Sequence, residues 1–287
     1  MYSYRHAFHA GNHADVLKHA VLVALLRYLG QKEKPFWVID THAGAGAYEF
    51  HSDEARKNAE HEGGVIRLLD ATGLPPLLAD YVATVRAFNT GGRITRYPGS
   101  PFLADRLSRP IDRLRFFEMH STDHRLLAQR FPEGEKGDKR AIVRREDGFA
   151  GLKSLLPPPP ASRRALVVID PSYEDKRDYA RVRDALEDAL GRFAQGVYAV
   201  WYPMLQLGQA RQLPERLRAL CAERDWLDVS LTVQAPSKDG YGMHGSGMFV
   251  VNPPYTLPAL LDEAMPVLVE RLGMDAGAGY QLAHRIS

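Results

Sequence analysis

The chain has 287 residues, 45% of them hydrophobic and 25% charged. These proportions exclude a collagen-like or disordered chain, and at this length a core can bury roughly 75% of the unfolded surface without covalent staples. Lys plus Arg number 37 against 35 Asp plus Glu, a formal net charge of +2, so any face that attracts a polyanion must be local.

A single cysteine, Cys221, excludes a disulfide framework and a four-thiolate metal site. Its place in the helical run 218–222 predicts a buried thiol. The first six residues show no basic region followed by an apolar run, and the longest apolar run, 20–26, is far short of the ~20 residues of a membrane span. The expectation is a soluble, cytoplasmic protein with no membrane partner.

Asn12 is placed to cap a first helix over 13–29, with Asp15 in its first turn and Gly30 and Pro35 after its end. Its predicted buried stripe is Val16, Leu17, Ala20, Val21, Ala24, Leu25 and Tyr28. Seven short apolar runs follow, at 36–41, 114–119, 141–145, 165–170, 197–202, 229–234 and 248–252. Helical patterns separate most of them, which predicts an α/β fold with a mainly parallel sheet. The last two runs flank a glycine-rich loop with no helical period and read as an antiparallel hairpin at one sheet edge. Between the first two runs lie about 70 residues, where a crossover needs only a dozen or so. A small helical subdomain, 48–97, is therefore expected as an insertion into one domain spanning 1–287.

The first strand ends Val38-Ile39-Asp40-Thr41-His42-Ala43-Gly44-Ala45-Gly46. Two glycines after a strand allow a tight turn and close approach of a ligand to the backbone. The third glycine of a dinucleotide fingerprint is missing, since Glu49 stands there. Asp40, on the strand's last residue, would repel a pyrophosphate and attract an ammonium or sulfonium group. S-adenosylmethionine carries both cations. A dinucleotide site and a purely structural turn remain the alternatives.

Acids also end the next strands. Glu118 in Phe116-Phe117-Glu118-Met119 is suited to ribose hydroxyls, and Asp147-Gly148 to an exocyclic adenine amine. In an open parallel sheet these strand ends share one crevice. Ser100-Pro101 predicts an N-cap followed by Pro at the first helical position, where a helix N-terminus can receive an anionic group.

The fourth run ends Ile169-Asp170-Pro171-Ser172-Tyr173. The lone pair of an exocyclic base nitrogen is delocalised into the ring. A site that methylates it must hold the amine with acceptors and stack the base. Asp170 offers a carboxylate, Pro171 a carbonyl whose backbone the ring stiffens, and Tyr173 an aromatic face. A base within a nucleic acid has to be turned out of its stack to reach them. The tetrapeptide resembles the D/N-P-P-Y/F/W signature of amino-methyltransferases, with Ser172 in place of the second proline. Asn252-Pro253-Pro254-Tyr255 fits that signature without departure, but it ends the seventh run, further from the glycine turn.

Four histidines, His6, His9, His13 and His19, crowd the first nineteen residues. No cysteine or acid completes a tetrahedral set there, so no metal is expected. The block Tyr4-Arg5-His6-Ala7-Phe8-His9-Ala10-Gly11-Asn12-His13-Ala14-Asp15-Val16-Leu17-Lys18-His19 resembles the N-terminal signature of the RlmJ family of 23S ribosomal RNA adenine-N6 methyltransferases. The similarity extends through the Asp40–Gly46 turn, Tyr97-Pro98-Gly99-Ser100-Pro101, Asp147-Gly148-Phe149, the Asp170 motif, Gly247-Met248 and Asn252-Pro253-Pro254.

The resemblance implies a Rossmann-like, class I S-adenosylmethionine-dependent methyltransferase sheet of seven strands with the helical insertion. It implies cofactor contacts at Lys18, His19, His42, Ser100, Glu118, Asp147, Gly148 and Asp170, beside Asp40 and Gly44 from the turn. Tyr4 and His6 are implied to lie near the target adenine. Asp170, Pro171 and Tyr173 are then the catalytic set, with Asp170 holding the amine and able to deprotonate it. The substrate is expected to be 23S rRNA, protein-free or in early assembly, and the enzyme a monomer with no obligate protein partner. A DNA adenine-N6 methyltransferase and a catalytically inactive RNA-binding member of the fold are the alternatives. Because the total charge is so small, basic residues are expected to gather at the crevice mouth, with Arg5, Lys18, Arg93, Arg96, Arg163 and Arg164 as candidates.

Overall fold

A computed structural model describes residues 6–89, 91, 93–132 and 139–286. Its first long element is α1 (His13–Gly30), capped by Asn12, whose side chain accepts from the backbone N–H groups of Ala14 and Asp15. Five of the seven expected stripe residues are buried, Ala24 and Tyr28 being half-buried, and the stripe is only part of what α1 buries. Fourteen of its eighteen residues are buried, Leu22, Val23 and Leu26 among them. A helix buried on nearly all sides is a central one, and α1 lies between the sheet and an outer layer of helices.

The strand β1 (Trp37–Asp40) leads into the glycine turn. The stretch before the next strand of the main sheet holds β2 (Ala47–Glu49), α2 (Asp53–Asn58), α3 (Ile66–Leu69), α4 (Pro76–Phe88), β3 (Arg96–Pro98) and α5 (Ser100–Leu107). β2 and β3 pair antiparallel as a separate two-stranded ribbon. Leu68, Leu78, Tyr81 and Val85 from this stretch share one apolar cluster with Leu22 and Leu26 of α1 and Leu261 and Leu268 near the C-terminus.

The rest alternates: β4 (Arg113–Phe117), α6 (Ser121–Arg130), β5 (Ala141–Arg144), α7 (Gly148–Leu155), β6 (Ala165–Ile169), α8 (Asp178–Arg192), β7 (Val197–Met204), α9 (Gly208–Leu220), β8 (Trp226–Thr232), β9 (Gly245–Val251), α10 (Leu257–Leu272) and β10 (Gly279–Arg285). The main sheet has the order β10-β8-β9-β7-β6-β1-β4-β5. β5, β4, β1, β6 and β7 are mutually parallel. β9 runs antiparallel to both β7 and β8. This is the expected Rossmann-like class I sheet with one more strand.

Two expectations are corrected. The main sheet has eight strands rather than seven, because β10 pairs antiparallel with β8. Its residues, Gly-Tyr-Gln-Leu-Ala-His-Arg, are half-exposed and carry no apolar run to mark them. The hairpin strand β9 is interior, wedged between β7 and β8, while β10 takes the edge. Alternate strand residues feed the two faces: Val38, Leu166 and Val168 join the α1 side, and Ile39, Val167 and Ile169 the side of α7, α8 and α9. Such two-faced burial is what gives parallel strands their unbroken apolar runs. Cys221 is buried just after α9, as expected for a core thiol.

Candidate active site

The C-terminal ends of β1, β4, β5 and β6 open onto one cavity of about 340 Å³. His6, Lys18, His19, His42, Gly44, Ser100, Glu118, Asp147, Gly148, Asp170, Pro171 and Tyr173, all singled out in the sequence, line it. Tyr4 lies outside the described residues.

The turn after β1 requires glycine in two senses. Gly44 has φ +62°, and a Cβ there would lie 2.4 Å from the Tyr48 hydroxyl oxygen. From the neighbouring strand end, Gly148 stands so close to β1 that a Cβ would fall 2.0 Å from the Thr41 carbonyl oxygen. The pair keeps the floor of the cavity as bare backbone. Glu118 braces it: one carboxylate oxygen accepts from Gly44 N–H at 2.8 Å and the other from His120 N–H at 2.6 Å. Burial pushes the Glu118 carboxyl up to about 7.

Asp40 is buried and accepts from the Ser100 hydroxyl at 2.6 Å and the His42 N–H at 3.1 Å. Burial raises its carboxyl to about 6, against the pull of those two donors. This corrects the expected cap. Gly99 is the N-cap of α5 and Ser100 its first residue, because the hydroxyl is committed to Asp40 rather than to the helix's own amides. Asp147 does cap α7, accepting from Phe149 N–H at 2.9 Å, and its other oxygen pairs with Arg181.

A chain of charges enters the cavity from α1. The Lys18 ammonium bridges Asp15, at 2.9 Å, and Asp170, at 2.7 Å. Asp15 also pairs with His6 Nε2 at 2.8 Å and accepts from Gly11 N–H at 2.9 Å. Burial alone would raise the Asp15 carboxyl, but His6 and Lys18 hold it well below the usual carboxylate range. Burial would likewise lower the Lys18 amine, and its two carboxylates hold it well above. Asp170 is thus fixed through one oxygen, and its other has no protein partner among the described residues.

Three neighbouring groups stay neutral. Burial lowers His19 to about 3 and His42 to about 4. His19 shares its Nδ1 with the Tyr97 hydroxyl at 2.7 Å, while its buried Nε2 has no partner. Tyr173 has φ +55°, its hydroxyl donates to the Trp201 carbonyl at 2.7 Å, and its ring lies 4.7 Å from that of Tyr179.

Asn252 is at the other end of the sheet. β9 runs antiparallel to β6, so its C-terminal end lies where the parallel strands begin, and Asn252 donates to the carbonyls of Ala194 and Gly196 just before β7. The proposed basic face is also corrected. Lys18 is enclosed between two carboxylates. Arg164 precedes β6, so it too sits at the far end, donating to the carbonyls of Leu29 and Lys34. Arg5 lies outside the described residues.

Sequence reasoning missed Asp15 as a site residue, having read it as a first-turn acid. It also missed Trp201, Pro203, Leu205 and Met243, which line the same cavity as Asp170. The signal for Asp15 was its spacing of three from Lys18 within an otherwise apolar helix. Nothing local marked the apolar four, whose place depends on β7 lying next to β6.

The family described as "Ribosomal RNA large subunit methyltransferase D, RlmJ" matches residues 33–285. The chain is 42% identical to the Ribosomal RNA large subunit methyltransferase J of Escherichia coli, over 98% of this chain and 97% of that one. Its identity to the protein of the same name from Haemophilus influenzae is 44%, over 95% and 94%. A crystal structure of a Legionella pneumophila protein has a TM-score of 0.85 at 32% identity and covers 96% of this chain and 98% of that one.

Proposed function

Because this chain belongs to the RlmJ family, we propose that it methylates N6 of one adenine in 23S ribosomal RNA with S-adenosylmethionine as methyl donor. The observation that carries the reading is Asp170, held by Lys18 at the end of β6 with one oxygen unpartnered, in the same cavity as the glycine turn and Glu118. The substrate is rRNA, protein-free or in early assembly, and the enzyme a cytoplasmic monomer. Among the described residues no helix is long and apolar enough to cross a membrane.

The residues fit the cofactor. Gly44 and Gly148 line the cavity with no side chain to obstruct it, and Glu118 lines it with a carboxylate, whereas Asp40, expected as a direct contact, lies behind the lining and is held by Ser100 and the His42 N–H. The buried Nε2 of His19, a residue on the same cavity, makes no hydrogen bond, Asp15 being its nearest recorded polar neighbour at 3.9 Å. When bound, S-adenosylmethionine supplies a methyl group activated by its sulfonium. The protein's share is positioning. Asp170 accepts one N–H of the target amine, the Pro171 carbonyl accepts the second, and Tyr173 backs the base. With both N–H bonds held, the nitrogen lone pair is directed out of the base plane. Lys18 keeps the Asp170 carboxylate in a fixed place while this happens. We further propose that 1–287 act as one methyltransferase domain and that the 48–97 insertion anchors the N-terminal segment. Glu60 supports this, since its carboxylate holds both His9 and Asn12.

The pH dependence of cofactor binding follows from the two raised carboxyls. In the free protein Glu118 and Asp40 take up protons as pH falls through about 7 and about 6. A bound cation favours their charged forms, so affinity is highest above this window and falls below it. If binding lowers the Glu118 value by about one unit, the Kd at pH 5.5 is roughly sevenfold weaker than at pH 8, and an equal shift at Asp40 adds roughly threefold. Glu118→Gln should flatten the upper part of the curve. Calorimetric titration checks this, and a Kd constant from pH 5.5 to 8 contradicts it.

Competition for labelled methyl groups between protein-free 23S rRNA and duplex DNA tests the substrate class. Preferential labelling of the rRNA is expected. Labelling of DNA alone contradicts the reading, and RNA binding without turnover at saturating cofactor identifies an inactive member of the fold.

A further inference from the structure

Trp201 and Pro203 of β7, Leu205 just after it, and Met243 line the same cavity as Asp170. Met243 does not belong to a strand. It sits at the root of the loop 233–244 that joins β8 to β9. That root is fixed: Val233 N–H donates to the His244 carbonyl at 2.9 Å, His244 N–H to the Met204 carbonyl at 3.1 Å, and Ala235 N–H to the Asp275 carboxylate at 3.0 Å.

Beyond the root every residue from 235 to 242 is exposed. Tyr241 is 84% exposed, more than any other large hydrophobic residue described. Gly240 (φ +77°) and Gly242 (φ +88°) flank it in the left-handed region, a conformation that holds the ring outward from a tight turn. Tyr255, the next most exposed ring, packs edge-on against Tyr28 at 6.3 Å. Lys238 shares the tip with Tyr241.

The cavity itself is acidic. Asp15, Glu118, Asp123, Asp147, Asp170 and Asp178 line it against one lysine and one arginine. A phosphodiester backbone is repelled from such an interior, so only the extruded base can enter, and the strand must be gripped outside the rim. An extruded base also leaves its neighbours with an uncovered face, which an aromatic side chain can fill.

We propose that the 233–244 loop grips the single-stranded RNA beside the target adenine, Tyr241 stacking on a flanking base and Lys238 pairing with a phosphate. The proposal rests on the RNA reading above. Its fixed root carries Met243 in the cavity wall, so the grip sets the distance between the stacked neighbour and Asp170. Neither residue touches the cofactor end of the cavity.

Steady-state methylation of 23S rRNA tests it. Tyr241→Ala is expected to raise KM for RNA roughly tenfold, with kcat at saturating RNA and the Kd for S-adenosylmethionine both within twofold of wild type. Tyr241→Phe keeps the ring and should restore KM. Lys238→Gln should lower the slope of log affinity against log salt by about one. An unchanged KM for Tyr241→Ala overturns the grip while wild-type turnover leaves the RNA reading standing, and directs the exposed ring to a protein partner instead. Equal impairment by Tyr241→Phe also overturns it, since stacking needs no hydroxyl. Absence of methyl transfer by the wild-type protein overturns the RNA reading and the grip together.

Discussion

Asp170→Ala is expected to lower kcat by roughly 10²–10³-fold or more, the loss typical of removing one pre-aimed hydrogen-bonding group from a transition state. The Kd for S-adenosylmethionine should change by less than about threefold, because Glu118, Asp40 and the glycine turn are untouched. The reason lies in geometry. Asp170 is anchored through Lys18 at 2.7 Å, so its second oxygen is held without freedom to relax towards water. Rapid-quench measurement of a single turnover, paired with calorimetry, separates the two quantities. Full activity in this variant would sink the proposed mechanism. An equal loss of cofactor binding would move Asp170 from the amine to the cofactor.

Lys18→Met should give the largest loss of stability. The substitution keeps most of the side-chain volume but leaves two carboxylates, Asp15 and Asp170, without their shared cation. Asp15 is 1% exposed. Breaking a buried pair by removing one partner costs about 3–5 kcal/mol, and here Asp15 would keep only His6 and the Gly11 N–H against its buried charge. For a chain of this size that corresponds to a fall in Tm of roughly 5–15 °C. Catalysis should fail as well, because Asp170 loses its anchor. Adding Asp15→Asn should recover part of the stability and none of the activity. A Tm within about 2 °C of wild type would show that the lysine is not the cation on which the buried carboxylates depend.

The parts of the site carried by the parallel sheet were legible in the sequence. Residues just past the C-terminal ends of parallel strands reach the crevice, so Glu118, Asp147 and Asp170 were each identifiable from a strand run followed by an acid, while Asp40, the last residue of β1, is buried behind the lining. The sequence set Asn252 aside for its distance from the glycine turn, and the structure excludes it more firmly, because the antiparallel direction of β9 carries it to the other end of the sheet. What was hidden depends on contacts between distant segments. Asp15 reads as an ordinary first-turn acid until α1 is seen to be enclosed on all sides, at which point a charged side chain there requires Lys18. Ser100 reads as a cap until Asp40, sixty residues earlier, is found to take its hydroxyl.

Other features escaped because their patterns were too weak or their direction was misjudged. β10 is a half-exposed edge strand, and its alternation of polar and small residues does not stand out from a loop. The basic candidates before β6 failed on a topological point. Arg163 and Arg164 precede a parallel strand, so they sit at the opposite end of the sheet from its catalytic terminus. The near-neutral total charge therefore carries a narrower meaning. The cavity is acidic, which suits the cation and the neutral base of the proposed reaction and leaves any attraction for phosphate to its rim.

The central claim is transfer to the N6 amine of an adenine in 23S rRNA. Protein-free 23S rRNA from cells lacking this protein, incubated with the purified enzyme and S-adenosylmethionine and then mapped by mass spectrometry, tests it directly. One N6-methyladenosine at a single position, absent when Asp170→Ala replaces the wild type, is the predicted result. Methyl groups on cytosine or on ring nitrogens, or none on the RNA, would contradict it.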